Sequence, residues 1–153
     1  MYTKTLTYDN FLGQKITKTF YFNISSAEFL QKSVDENDAV FDLMQKLQQN
    51  LNQTEQGQIA LKVISKLIEL GYGEVSDDGE SFVKVDDNGV PLYKKFVGTI
   101  AFDKVFMELI TSNEEATKFI QNVLPVEELQ KLSNANNMQN LQMPVSGALP
   151  FKQ

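Results

Sequence analysis

Two alternating stretches near the N-terminus constrain the fold more than anything else in the chain. Thr3-Lys4-Thr5-Leu6-Thr7-Tyr8 and Lys15-Ile16-Thr17-Lys18-Thr19-Phe20-Tyr21-Phe22 are rich in β-branched and aromatic residues. They repeat with a period of two, at which successive side chains fall on opposite faces of a strand. Between them, Asp9-Asn10-Phe11-Leu12-Gly13 supplies turn chemistry, so the pair predicts a β-hairpin. Its inner face is expected to carry Leu6, Tyr8, Ile16, Phe20 and Phe22.

After the hairpin the period changes to that of helices. Ser25 and Glu28 fit a capping box, with Ile24 and Phe29 as the flanking hydrophobic staple, so a short helix begins there. From Asp38, the residues Val40, Phe41, Met44, Leu47 and Leu51 recur at three- and four-residue spacing as one amphipathic stripe. A further helix, with Thr54 as its cap, carries Ile59, Leu61, Val63, Ile64, Leu67, Ile68 and Leu70. That apolar face is broad enough for a central helix, and Gly71 fits a positive-φ residue ending it. The period returns to two around Asp78-Gly79, where Tyr72, Val75, Phe82, Val83 and Val85 predict a second, smaller hairpin. Pro91 then suits a first helical turn. One helix is expected from about Thr99, with Phe102, Val105, Phe106, Leu109 and Ile110 inward. Another follows the capping box at Ser112 to Glu115 and stops at Pro125, with a turn or two more from Val126 to Leu132. The fold class is therefore α+β: two hairpins packed with about five to six helices.

Composition narrows the chemistry. The 153 residues include no cysteine and no histidine. Thiolate nucleophiles, thiolate metal sites, the usual general base near neutral pH and the commonest metal ligand are all missing. All 14 basic residues are lysines, against 20 acidic ones, for a net charge of −6; without clustered Lys and Arg, nucleic acid is not an expected partner. Paired carboxylates occur at Asp77-Asp78, Asp86-Asp87, Glu114-Glu115 and Glu127-Glu128, each in a turn or first helical turn, where acids serve local hydrogen bonding and the helix dipole. A twelve-residue calcium loop with its glycine on Gly89 would place Lys84 first and Lys95 last, where a bidentate Glu belongs. Placed on Gly79, it would end on Val85. No catalytic, cofactor-binding or metal-binding residue is assigned, and no cofactor is expected. The apolar-rich stretch Ile59 to Leu70 is interrupted by Lys62, Ser65, Lys66 and Glu69, short of the roughly 20 residues that span a bilayer. No export signal is visible at the N-terminus.

Four stretches, taken in order, resemble the tail assembly chaperones of siphophages infecting Gram-positive bacteria. Tyr8-Asp9-Asn10-Phe11-Leu12-Gly13 followed by Phe20-Tyr21-Phe22-Asn23-Ile24-Ser25-Ser26-Ala27-Glu28 is similar to that family's opening. Gly71 to Lys84, containing Ser76-Asp77-Asp78-Gly79 and Phe82, is similar to its middle motif. Val105-Phe106-Met107-Glu108-Leu109 and Ala116 to Pro125 are similar to its close. The resemblance covers about residues 1–132 and departs in the Gln-rich helix from Gln45 to Gln53, the insert at Asp86 to Val90 and the C-terminal tail.

The resemblance implies a non-enzymatic protein that binds the helical tape measure protein in the host cytoplasm and keeps it soluble before and during tail tube polymerisation. It also implies absence from the mature virion, self-association, and a longer frameshifted form that recruits tail tube protein. The alternative is a structural virion protein of the tail or connector. Domains are expected at 1–132 for the chaperone domain and 133–153 for a flexible, amide-rich tail. That tail lacks periodicity and reads as disordered when alone. Its apolar residues Met138, Leu141, Met143, Leu149 and Phe151 are the candidate partner-binding residues.

Overall fold

The alternation at the N-terminus produces the expected hairpin in the computed structural model, which describes residues 1–33, 40–46, 52–127, 129–130, 142–143 and 149–150. Strand β1 (Tyr2–Asp9) pairs antiparallel with β2 (Lys15–Phe22), in a register running from Tyr2 opposite Phe22 to Asp9 opposite Lys15. Even-numbered residues face inward. The inner set extends beyond the one expected: Tyr2 is buried and Lys4 half-buried, while Leu6 and Tyr8 pack against the core from its edge.

The elements that follow are α1 (Ser26–Ser33), α2 (Val40–Lys46), α3 (Gln53–Gly71), β3 (Tyr72–Val75), β4 (Phe82–Val83), α4 (Tyr93–Phe96), α5 (Ile100–Thr111) and α6 (Asn113–Val123). The strands β1-β2-β3-β4 form one antiparallel sheet in that order. The chain is thus α+β, with its helices gathered on one face of a meander. Helix α1 starts at the expected box: Glu28 N donates to Ser25 Oγ and Ser25 N to Glu28 Oε2. Ile24 and Phe29, the staple pair, are both buried. Of the stripe expected from Asp38, Met44 is buried, whereas Leu47 and Leu51 lie outside the described residues.

Helix α3 is the central one, in contact with α2, α5, α6 and β2. Its cap is Asn52 rather than Thr54: Asn52 Oδ1 accepts from Glu55 N and Glu55 Oε2 accepts from Asn52 N. Asn is as good a cap as Thr, and only at 52 does a Glu stand three residues on. Val63, Ile64, Leu67 and Ile68 are fully buried, but Leu61 is 44% exposed and lies outside the inward face. Gly71 does not end α3 through positive φ, which among the described glycines occurs at Gly13, Gly79 and Gly89. Its role is steric. A Cβ there would lie 2.8 Å from Val123 Cγ2, so the end of α3 can approach α6 only without a side chain. Tyr72 instead turns the chain into extended backbone, and the Lys84 ammonium, half-buried, donates to Leu70 O and Glu28 Oε1, both at 2.7 Å.

Pro91 is not in the first helical turn as expected: it is bridged to Val85, two residues ahead of Tyr93, where α4 begins. Thr99 caps α5 through Phe102 N. On α5, Val105 and Leu109 are buried while Phe102, Phe106 and Ile110 are half-buried at the core's rim. Ser112 caps α6 through Glu115 N, but Glu115 does not close the expected box. Its carboxylate accepts from the Tyr2 hydroxyl at 3.0 Å and lies near Lys4 and Lys118.

The core is aromatic at its centre. Phe22 and Phe119 are both fully buried, with ring centroids 5.6 Å apart and edge to face, and Tyr72 stacks on Phe96 at 4.1 Å. Burying such a side chain fully stabilises by roughly 1.5–3 kcal/mol. In the C-terminal segment expected to be disordered, four described residues pair: β5 (Gln142–Met143) with β6 (Leu149–Pro150), and β6 lies against α6.

Candidate functional site

The site begins with a mismatch of strand lengths. The β1-β2 ladder is eight residues long, but β3 joins β2 only at Tyr21 opposite Gly73 and Phe22 opposite Tyr72. The rest of the hairpin therefore reaches beyond the third strand as a two-stranded ribbon. Its root is fixed from two sides. Tyr2, Phe20 and Phe22 sit in the core, and Lys4 Nζ lies 2.8 Å from Glu108 on α5 and 3.6 Å from Glu115 on α6. Burial pushes the Tyr2 hydroxyl's pKa up, and the Glu115 carboxylate it donates to pushes it further. For Glu115 itself burial acts upward, yet the Tyr2 and Lys118 hydrogen bonds and the Lys4 charge outweigh it and hold the carboxyl below its ordinary range.

The tip of the ribbon is a tight, fully bonded turn. Asn10 N donates to Gln14 O and Gly13 N to Asn10 O, both at 2.9 Å. Asn10 Oδ1 accepts from Leu12 N and Gln14 N, also at 2.9 Å. Gly13 has φ 77°, a region that glycine enters without steric cost. On this rigid frame stand Phe11, 79% exposed, and Leu12, 82% exposed.

Behind the tip, the outward side chains are Thr3, Thr5 and Thr7 on β1 and Thr17, Thr19 and Tyr21 on β2. Thr5 and Thr19 share a hydroxyl hydrogen bond of 2.8 Å, as do Thr7 and Thr17. Further across the sheet, Val75 and Phe82 are paired on the same side. The Phe82 ring lies over Gly73, where a Cβ would come within 2.6 Å of it and of Val83 O.

Two of the carboxylate pairs, Asp77-Asp78 and Asp86-Asp87, stand in turns, while Glu114-Glu115 lies in the first turn of α6 and Glu128 lies outside the described residues. Asp78 accepts from the Ser76 hydroxyl and from Glu80 N, and these bonds hold its pKa down. Asp86 accepts from Asn88 N and Val90 N. Lys95, which a calcium loop would need to be Glu, lies 3.3 Å from Asp86. No group of three or more acidic side chains is arranged to hold a metal among the described residues. A crevice between α1 and α3, lined by Ile24, Phe29, Leu67, Leu70 and Leu124 with Glu28 and Lys32 beside them, is a packing gap, since most of its apolar walls are buried. No described helix is long and apolar enough to cross a membrane.

Of the expected partner-binding residues, Met143 and Leu149 are cross-strand partners in the β5-β6 pair, while Met138, Leu141 and Phe151 lie outside the described residues. The residues that sequence reasoning passed over are Phe11 and Leu12. The signal was present in two large apolar residues inside a turn, where Asp, Asn, Ser and Gly are the usual occupants.

The chain is a small α+β fold with an exposed apolar tip, in which Glu28 and Glu55 serve helix caps and Asp78 and Asp86 serve turns. The particular family follows from comparison: residues 1–150 match the phage tail assembly chaperones, and the chain belongs to that family. Comparisons with curated proteins and with solved structures each give no match.

Proposed function

We propose that this chaperone binds the tape measure protein in the host cytoplasm, holds it soluble before and during tail tube polymerisation, and leaves before the virion is complete. Family membership carries the reading. It is supported by the chemistry of the surface, since an acidic chain with net charge −6 keeps a complex soluble, while exposed Phe11 and Leu12 supply apolar contact. Covering a long apolar helical protein with many weak, reversible contacts fits these features better than any reaction does. The chaperone is read as non-enzymatic, with residues 1–132 as its domain and 133–153 as a tail. In that tail Met138, Leu141, Met143, Leu149 and Phe151 add adaptable contact to the partner. A longer frameshifted form would bring in tail tube protein.

Co-expression tests the reading. The tape measure protein is expected in the soluble fraction with this chain and in the pellet without it. Mass spectrometry of purified tails is expected to lack the chain. Its abundance there would make it a structural tail or connector protein instead. Deleting everything after Leu132 is expected to weaken capture at least about tenfold, roughly 1.4 kcal/mol; undiminished capture would remove the tail from the binding surface.

A further inference from the structure

Helix α1 is held differently from the helices it meets. Helix α3 buries six residues and α6 four, whereas among the described residues of α1 only Phe29 is buried. At eight residues α1 is also too short to be stable by itself, so its place depends on what ties it down.

The ties are unequal along the chain. Just ahead of α1 the backbone is pinned: Asn23 N donates to Gly71 O at 2.8 Å and Ile24 N to Val123 O at 2.9 Å, which fixes the root to the ends of α3 and α6. In the first turn of α1, Glu28 meets Lys84, which follows β4. The Lys84 ammonium donates to Glu28 Oε1 and to Leu70 O, so one charged group joins the first turn of α1 to the last turn of α3. Between the two helices lies the packing gap walled in part by Leu67, Leu70 and Leu124. A helix seated over a gap lacks the dispersion contacts that a filled space would give it.

The charged tie is also one that water competes for. Burial lowers the Lys84 pKa from its ordinary value despite Glu28, whereas at Glu28 burial acts upward but the Lys84 and Ser25 bonds outweigh it and hold the carboxyl low. When α1 lifts, the ammonium regains water, which offsets part of what the broken bond loses.

We propose that α1 is a hinged flap: its root at Asn23 and Ile24 stays pinned, Lys84 is its latch, and its opening lifts Phe29 off an apolar floor of Leu67, Leu70 and Leu124. Closed, the flap keeps this apolar surface from water and from stray contacts. Open, it exposes the surface while α3 and α6 stay folded, as sub-global openings of native proteins do. The flap does not depend on the identity of the assembly partner.

Amide hydrogen exchange of the full chain, resolved by residue, tests the flap. In the wild type the amides of α1 are expected to exchange at least about tenfold faster than those at 63–68 of α3 and 119–123 of α6. Lys84→Met keeps an aliphatic stem in the half-buried space and removes the latch. It is expected to speed α1 exchange at least about tenfold further with the α3 and α6 amides unchanged. Nile red, a neutral dye that brightens on apolar surface, is expected to fluoresce more with this variant than with the wild type. Glu28→Gln removes the charge but leaves a side chain that can still serve the box at Ser25, so it is expected to shift α1 exchange in the same direction by a smaller factor. Should Lys84→Met fail to fold, Glu28→Gln decides by the same criterion. Three results would each overturn the proposal: wild-type α1 amides that exchange only together with those of α3 and α6, α1 exchange that neither variant changes, or variants that speed α3 and α6 as much as α1.

Discussion

Two turns of this molecule share one backbone and carry opposite side chains. In Asn10-Phe11-Leu12-Gly13-Gln14 the first side chain accepts from the third and fifth backbone N–H, the fourth residue is glycine at φ 77°, and the first and last residues close the loop. Asp86-Asp87-Asn88-Gly89-Val90 repeats every one of these bonds to within about 0.1 Å, with Gly89 at φ 75°. The geometry therefore demands an Asn or Asp first and a Gly fourth, each for a stated physical reason. It demands nothing of the second and third positions. One turn fills them with Asp87 and Asn88, as solvent would favour, and the other with Phe11 and Leu12. The second turn is thus an internal control: the apolar pair at the hairpin tip is not required by the fold that carries it.

The comparison breaks most readily at the glycines. Gly13→Val and Gly89→Val each force a β-branched residue to positive φ and are expected to lower stability by about 1–3 kcal/mol in denaturant melts. Open space surrounds both Cβ positions, so strain alone is measured. A loss under about 0.5 kcal/mol at one site would mean that the two turns are not equivalent.

A smaller effect separates the two first residues. Asn10→Ala leaves Leu12 N and Gln14 N without their acceptor and is expected to lower stability by about 1 kcal/mol. Asp86 does the same work with a charge. The Val90 N–H is the chief cause that lowers its pKa from the ordinary 3.8, aided by Asn88 N–H and Lys95 and opposed by slight burial. A depressed folded-state pKa contributes stability that is present above the unfolded value and lost as pH falls through the folded one. Melting temperature followed from about pH 5 to about pH 2 should therefore fall less steeply in Asp86→Asn than in the wild type. In Asn10→Asp it should fall more steeply. Parallel curves for all three would show that the carboxylate's bonds do not count in the folded state.

What the sequence made legible follows from how local each cause is. Strand alternation, the turn residues at 9–13 and 78–79, the caps at Ser25 and Ser112 and the helix start at about Thr99 depend on neighbours a few positions away, and the structure places them as expected. Gly71 escapes a local reading because its reason is Val123, far along the chain, whose methyl occupies the space a side chain would need. The inward Lys4 fits no local rule. It is explained by Glu108, 104 residues later. Glu115 has the spacing of a box partner for Ser112, but its carboxylate is used by Tyr2 from β1. The candidate site was half legible: the turn shows in the sequence, yet its apolar passengers are absorbed into it, and the tail, where Leu and Met stand among amides, draws attention instead. Exposure is a tertiary property, and only the sheet's one-sided packing shows that nothing within the described residues covers Phe11.

The smallest expected effect is the sharpest test of the comparison. Giving the first turn the second turn's central residues, Phe11→Asp with Leu12→Asn, changes two side chains that are about four-fifths exposed and touches no bond of the loop. Surface replacements of this kind usually shift stability by less than about 0.5 kcal/mol. The carboxylate introduced by Phe11→Asp would lie near Asp9 but also near Lys15, so its electrostatic contribution should stay within that range. Melting by circular dichroism is therefore expected to be unchanged. A loss above about 1 kcal/mol would show that the tip already packs on its own chain, and the apolar pair would then be accounted for by folding after all.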